Sequence, residues 1–136
     1  MSKGSHRWVL LHHQHASDSH YDLMLQDGAK LLTWRLDSVP RPGAEQPAER
    51  IADHRLVYLD YEGPISGGRG EVRRIDGGSY DPLRWSEDEI IAELHGNIVQ
   101  GRVRLWKLAA ARPGPLNSGG ASERWALQYE APGHSH

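Results

Sequence analysis

Arg7-Trp8-Val9-Leu10-Leu11-His12, Ser19-His20-Tyr21-Asp22-Leu23-Met24-Leu25 and Leu31-Leu32-Thr33-Trp34-Arg35-Leu36 follow one another with only short polar or glycine-containing breaks between them. Each run has the usual length of a strand and is either rich in β-branched and aromatic residues or alternating in polarity. Similar segments recur at Arg55–Tyr61, Gly70–Asp76, Ile90–His95, Arg102–Leu108 and Arg124–Glu130. The chain's 15 glycines and 8 prolines fall mostly between them, at Gly28, Gly63-Pro64, Gly67 to Gly70 and Gly77-Gly78 among others. Many short strands separated by frequent turn signals predict an all-β fold, a compact antiparallel β-barrel with long loops and at most one or two short helices. Helix evidence is confined to Ser86-Glu87-Asp88-Glu89, which has the form of a capping box ahead of Ile90-Ile91-Ala92-Glu93-Leu94. A short helix and a strand both stay open for that segment. Pro40 to Pro47 and Pro113 to Ala121 lack periodicity and are expected to be loops.

The chain has 136 residues, of which 38% are apolar, with five Trp and no Phe. That suits one modest core, and a single domain is expected over residues 1–136. The longest apolar run, Trp8 to Leu11, is far below the roughly 20 residues of a membrane-spanning helix. Met1 to His6 carries no apolar secretory segment, so a cytoplasmic protein without a membrane partner is expected. Cysteine is absent, which excludes disulfides, thiolate metal sites and thiol nucleophiles. Any metal must therefore be held by His, Asp, Glu or backbone oxygen. Nine histidines are present, and His6, His12, His13, His15 and His20 all precede Asp22.

Charge nearly cancels, at a formal −2, but it is locally sorted. From Asn97 to Tyr129 there are five cations, Arg102 among them, against Glu123 alone, whereas Asp76 to Glu93 holds six acids and one Arg. Two solvated faces, or a basic surface holding a phosphate backbone through residues such as Arg102, both fit this pattern.

On an extended strand alternate side chains share a face, so His20 and Asp22 project together while Tyr21, Leu23 and Leu25 project into the core. With a third His from the preceding segment they would form a two-His, one-carboxylate site for a first-row divalent ion, manganese first and zinc second. Such an ion polarises a phosphoryl oxygen and activates water, as phosphoester hydrolysis requires. A second cluster runs Asp53-His54-Arg55-Leu56-Val57-Tyr58-Leu59-Asp60. Read as a strand, it sets Leu56, Tyr58 and Asp60 on one side, with His54 at its mouth as a general acid or phosphate donor beside Asp53. Ser66-Gly67-Gly68-Arg69-Gly70 reads as a tight hairpin with an exposed Arg, since no helix start or Lys-Ser/Thr follows it as a phosphate loop requires. No Gly-x-Ser-x-Gly elbow is present. Trp34, Trp106 and Trp125 alternate with polar residues and read as packing rather than base-stacking groups.

The segments His20 to Leu25, Leu32-Thr33-Trp34, Asp53 to Ile65, Gly70-Glu71-Val72, Asp76 to Tyr80, Leu94 to Arg102 and Arg124 to Leu127 resemble, in order, the 3′-phosphoesterase domain of bacterial DNA ligases that repair double-strand breaks by end joining. The block from Asp53 to Ile65 is the specific part. The resemblance implies a stand-alone form of a manganese-dependent β-barrel enzyme that trims phosphates and ribonucleotides from DNA 3′ ends, with a separate DNA ligase or end-joining protein as partner. It implies metal ligands in the pattern His, five residues, His, one residue, Asp. His20 and Asp22 match the last two, but the first position falls on Gln14, so His13 or His15 must serve, and His13 is preferred. His54 matches the family's phosphate-contacting histidine and Tyr58 a tyrosine beside it, the two catalytic candidates. Phosphate contacts are assigned to His54, Arg50 and Arg102, with Arg35 an alternative to Arg50. Family cations are missing elsewhere: Met24 stands for an arginine and Ser38 for a lysine, while Gln26 replaces a glutamate. The alternative function is therefore a catalytically weakened module of the same fold that binds DNA ends or a repair partner.

Overall fold

Nine strands and one 3₁₀ turn arise where the sequence alternates or where neighbours impose extension. The computed structural model describes residues 6–108 and 123–131. The strands are β1 (Arg7–His15), β2 (Asp18–Asp27), β3 (Lys30–Leu36), β4 (Glu45–Arg55), β5 (Gly63–Pro64), β6 (Glu71–Trp85), β7 (Glu89–His95), β8 (Gln100–Lys107) and β9 (Glu123–Glu130). Their order is β1-β2-β3-β4-β9-β8-β7-β6-β5, with β1 also paired to β6. Eight antiparallel strands thus close into a barrel, and the two-residue β5 hangs on β6 outside the ring. Among the described residues no helix is long and apolar enough to cross a membrane.

Strand parity builds two apolar layers. Trp8, Leu10, Leu23, Leu25, Leu32, Trp34, Leu36, Leu105, Trp125 and Leu127 fill the interior. The opposite parity of β1, β2 and β3 sends Val9, Leu11, Met24 and Leu31 outward, where Leu56, Tyr58, Leu59 and Tyr61 cover them. This second cluster makes one stretch of outer wall water-excluded. Asp76 fastens the far side: its buried carboxylate accepts backbone N–H bonds from Gly77, Asn97, Ile98 and Val99 at 2.7–2.9 Å. Burial pushes that carboxyl's pKa up, but the four N–H donors outweigh it and hold the group below the ordinary carboxylate range.

Three expectations are corrected and one open reading, at Ser86, is decided. Arg55–Tyr61 is not a strand, because Leu56–Leu59 forms a 3₁₀ turn that lays Leu56, Tyr58 and Leu59 on the outer wall. The strand pairing β3 instead is Glu45–Arg55, so Gln46 and Pro47 belong to β4 rather than to a loop. The Ser86 box caps a hairpin: Ser86 Oγ accepts the N–H of Asp88 at 3.3 Å and of Glu89 at 3.1 Å, and Glu89–His95 continues as a strand. Gly77-Gly78 lies inside β6, where a Cβ at either position would collide with the Trp8 or His95 carbonyl. The expected loop at Pro113 to Ala121 lies outside the described residues.

Candidate metal and phosphate site

The β1–β2 hairpin turns through two residues, Ala16 and Ser17, with Ala16 at φ 55°. Its register sets His13 directly opposite His20, and Gln14 opposite Ser19 on the inward-facing parity. The register therefore puts His13 on the outer face beside His20 and turns Gln14 away. Asp22 follows on the same outer face. His13, His20 and Asp22 offer ligand atoms that all lie within 4.8 Å of one another, and His15 is not part of the group.

Hydrogen-bond roles follow from chemistry. His13 Nε2 lies 2.8 Å from the Arg69 carbonyl, which can only accept, so Nε2 carries the proton. Its bare Nδ1 then faces His20 Nε2 at 3.2 Å, and His20 Nε2 lies 3.3 Å from Asp22 Oδ1. Asp22 is 4% exposed, and its Oδ1, too poorly aligned with His20 to hydrogen-bond, has no partner. Two ring nitrogens and an orphaned carboxylate oxygen converging on one point are a donor set for a divalent cation, and a backbone carbonyl orienting the first imidazole is the usual outer-shell device. The Gly67–Gly70 hairpin supplies that carbonyl. Gly70, at φ 91°, passes so close to the Gln14 carbonyl that any side chain there would collide.

His54 reaches the same wall by an irregularity. In the β3–β4 register Thr33 pairs with Ile51 but Leu31 pairs with His54, so β4 carries one extra residue, a β-bulge. The bulge reverses parity between Arg50 and His54. His54 turns outward, with Nδ1 3.0 Å from both Thr33 Oγ1 and the Ala52 carbonyl, and its ring meets Tyr58 edge-on at 5.5 Å. Asp53 turns instead to Lys30 and Arg50, at 3.6 and 3.4 Å.

Arg50 faces inward, its guanidinium 5.1 Å from the Trp34 ring and 6.0 Å from the Trp125 ring, and is not brought to the cluster. Arg102 is not brought there either, since β8 lies four strands from β2 in either direction round the barrel. It faces Glu93, while Glu89 pairs with Arg84 at 2.7 Å and Arg104 at 2.6 Å. The sorted charges of the sequence thus meet as cross-strand pairs. Arg35 is a cation on that wall: it pairs in register with Asp22 and shares its outward parity. Trp34 and Trp125 are core residues as expected, but Trp106 lies on the outside under Arg104 at 4.4 Å.

Sequence reasoning missed the Arg69 carbonyl and Thr33. A main-chain group has no sequence signal beyond Gly70, and Thr33 could be read only once the outward parity of β3 was known.

A family model described as the DNA ligase D 3′-phosphoesterase domain matches residues 12–107. Similar relatives include the multifunctional non-homologous end joining protein LigD of Mycobacterium bovis, 31% identical over 114 residues, covering 75% of this chain and 15% of that protein. The protein of the same name from Mycolicibacterium smegmatis is 32% identical over 121 residues, covering 75% and 16%. That of Pseudomonas aeruginosa is 34% identical over 87 residues, covering 60% and 10%. The chain spans about 15% of the length of the first of these relatives.

Proposed function

The chain belongs to the 3′-phosphoesterase domain family of DNA ligase D, and from that premise we propose that it is a metal-dependent phosphoesterase that removes phosphates or ribonucleotides from DNA 3′ ends before ligation by a separate enzyme. The observation that carries this reading is the convergence of His13 Nδ1, His20 Nε2 and the orphaned Asp22 Oδ1. These three would hold the cation, Mn²⁺ ahead of Zn²⁺. When bound, it supplies a Lewis acid for a nonbridging phosphate oxygen and lowers the pKa of water.

The protein's own groups do the rest. His13 keeps its Nδ1 bare by donating Nε2–H to the Arg69 carbonyl, and Asp22 sets its unpartnered Oδ1 beside His20 Nε2. Arg35, beside Asp22, neutralises phosphate charge and replaces Arg50 and Arg102 in that role. His54 presents Nε2 to the phosphate, takes a proton there from the attacking water and returns it to the leaving oxygen, with Tyr58 bracing its ring. The covered outer wall keeps the approach to His54 partly dry, which strengthens each of these interactions.

Purified protein with Mn²⁺ and a primer-template ending in a 3′-phosphate or 3′-ribonucleotide should release phosphate or nucleoside, and His20→Ala should not. No product from the wild-type chain across Mn²⁺ and Zn²⁺ would reject the enzyme.

One observation favours a weakened, DNA-end-binding module instead. Met24, standing where the family has an arginine, is buried in the outer apolar cluster and gives no charge to the wall. That reading requires DNA-end affinity that falls steeply with salt, without turnover.

A further inference from the structure

We infer that Thr33 is a positioning residue that, together with the Ala52 carbonyl, fixes His54 as the Nδ1–H tautomer and leaves Nε2 as its working atom. The tautomer follows from the contacts alone; its use at the phosphate rests on the function proposed above.

His54 Nδ1 has two oxygens at 3.0 Å, Thr33 Oγ1 and the Ala52 carbonyl. A carbonyl oxygen cannot donate. With a bare Nδ1, lone pair would face lone pair at that distance, too close for a water to stand between the two atoms. Thr33 could in principle donate to Nδ1, but its hydroxyl has a second neighbour, the Leu31 carbonyl at 3.1 Å, which again can only accept. One arrangement satisfies all four groups: Nδ1–H is shared between the Ala52 carbonyl and Thr33 Oγ1, and the Thr33 hydroxyl donates to Leu31. Nε2 is then unprotonated in the neutral ring and points away from these partners.

The backbone enforces the arrangement. The β4 bulge between Ile51 and His54 puts the Ala52 carbonyl and the His54 ring on the same side of Thr33, and Tyr58 closes the ring's other flank at 5.5 Å. A histidine that must accept a proton and return it to a leaving oxygen through one nitrogen gains from having the other committed.

Side-chain ¹⁵N NMR of the full chain at alkaline pH tests this without substrate or metal. The wild type should show a protonated Nδ1 and a bare Nε2. Thr33→Val, which keeps the shape and removes one of the two acceptors, should shift the tautomer ratio toward Nε2–H by about fivefold, the worth of one hydrogen bond. Thr33→Ser should restore it. In the primer-template assay Thr33→Val should lower kcat by about the same factor with KM unchanged, and Thr33→Ser should recover it. A wild-type spectrum with Nε2–H predominant overturns the inference even if Thr33→Val fails to fold, and so does an unchanged ratio in folded Thr33→Val. A wild type with the expected spectrum but no phosphoesterase activity would leave the tautomer standing and reject the proposed function, so the two failures are separable.

Discussion

Replacing Asp22 by Asn should make the metal-free protein more stable and the metal-loaded protein less so. Asp22 is buried beside two imidazoles, and its Oδ1 has no hydrogen-bond partner. An unsatisfied buried acceptor costs about 1–3 kcal/mol, and more when charged. Asn keeps the shape and removes the buried charge beside His20 Nε2, 3.3 Å from Oδ1. A gain of about 1–2 kcal/mol is expected without metal, or roughly 3–6 °C in Tm for a chain of this size. Manganese at a hundred times its dissociation constant should stabilise the wild type by about 2.7 kcal/mol, roughly 8–10 °C. Most of that gain should vanish in Asp22→Asn, whose neutral amide is a poor ligand for a hard cation. The ranking should thus invert: the variant melts higher in EDTA, the wild type higher in Mn²⁺. Melts by circular dichroism in both buffers check this. Lower stability of the variant in EDTA, or equal manganese shifts in the two proteins, would refute the view of Asp22 as a carboxylate kept for a cation.

Arg35→Ala should reduce 3′-phosphate release at least tenfold, while Arg50→Ala and Arg102→Ala stay within about twofold, as steady-state rates on one primer-template would establish. Arg50→Ala should instead lower stability by about 1 kcal/mol through loss of its contact with Trp34, read as an earlier urea midpoint. Asp76→Asn should cost about 2–4 kcal/mol at neutral pH, since an amide has one acceptor for the four N–H groups now bound. The folded Asp76 carboxyl titrates below its unfolded value of about 3.9, so its stabilisation is full above that pH and is lost as pH falls through it. Urea midpoints of the wild type and Asp76→Asn should therefore converge below about pH 4.

The strands β1 to β3 were legible because their inward and outward positions differ chemically along the whole length. Leu23 and Leu25 face the core, His20 and Asp22 face outward, and this parity fixed half of the candidate site before any coordinates. β4 was illegible for the opposite reason. Glu45–Arg55 offers little apolar alternation, since its inward positions include the small Ala48 and an Arg50 that spreads over tryptophan. Its extension comes from the β3 and β9 ladders on either side rather than from its own composition. Leu56-Val57-Tyr58-Leu59 misled in turn, because a short apolar run says that side chains are to be buried, not in what backbone form.

The hardest part of the site to read was the relation between its two halves. His54 and Arg50 are four residues apart, and on a regular strand they would share a face. One extra residue between Ile51 and His54 separates them, sending the cation to the tryptophans inside and the imidazole to the wall that bears His13, His20 and Asp22. The same counting operates in the first hairpin, where the register sets His13, and not Gln14, on the outer face opposite His20. In a barrel whose site lies on the outer wall, single-residue changes in strand register decide which chemistry faces the substrate. Arg35, in register with Asp22, occupies the wall on which Met24 offers no charge. On the function proposed above, the cation for the phosphate stands one strand over from Met24, while His13, His20 and Asp22 keep their places.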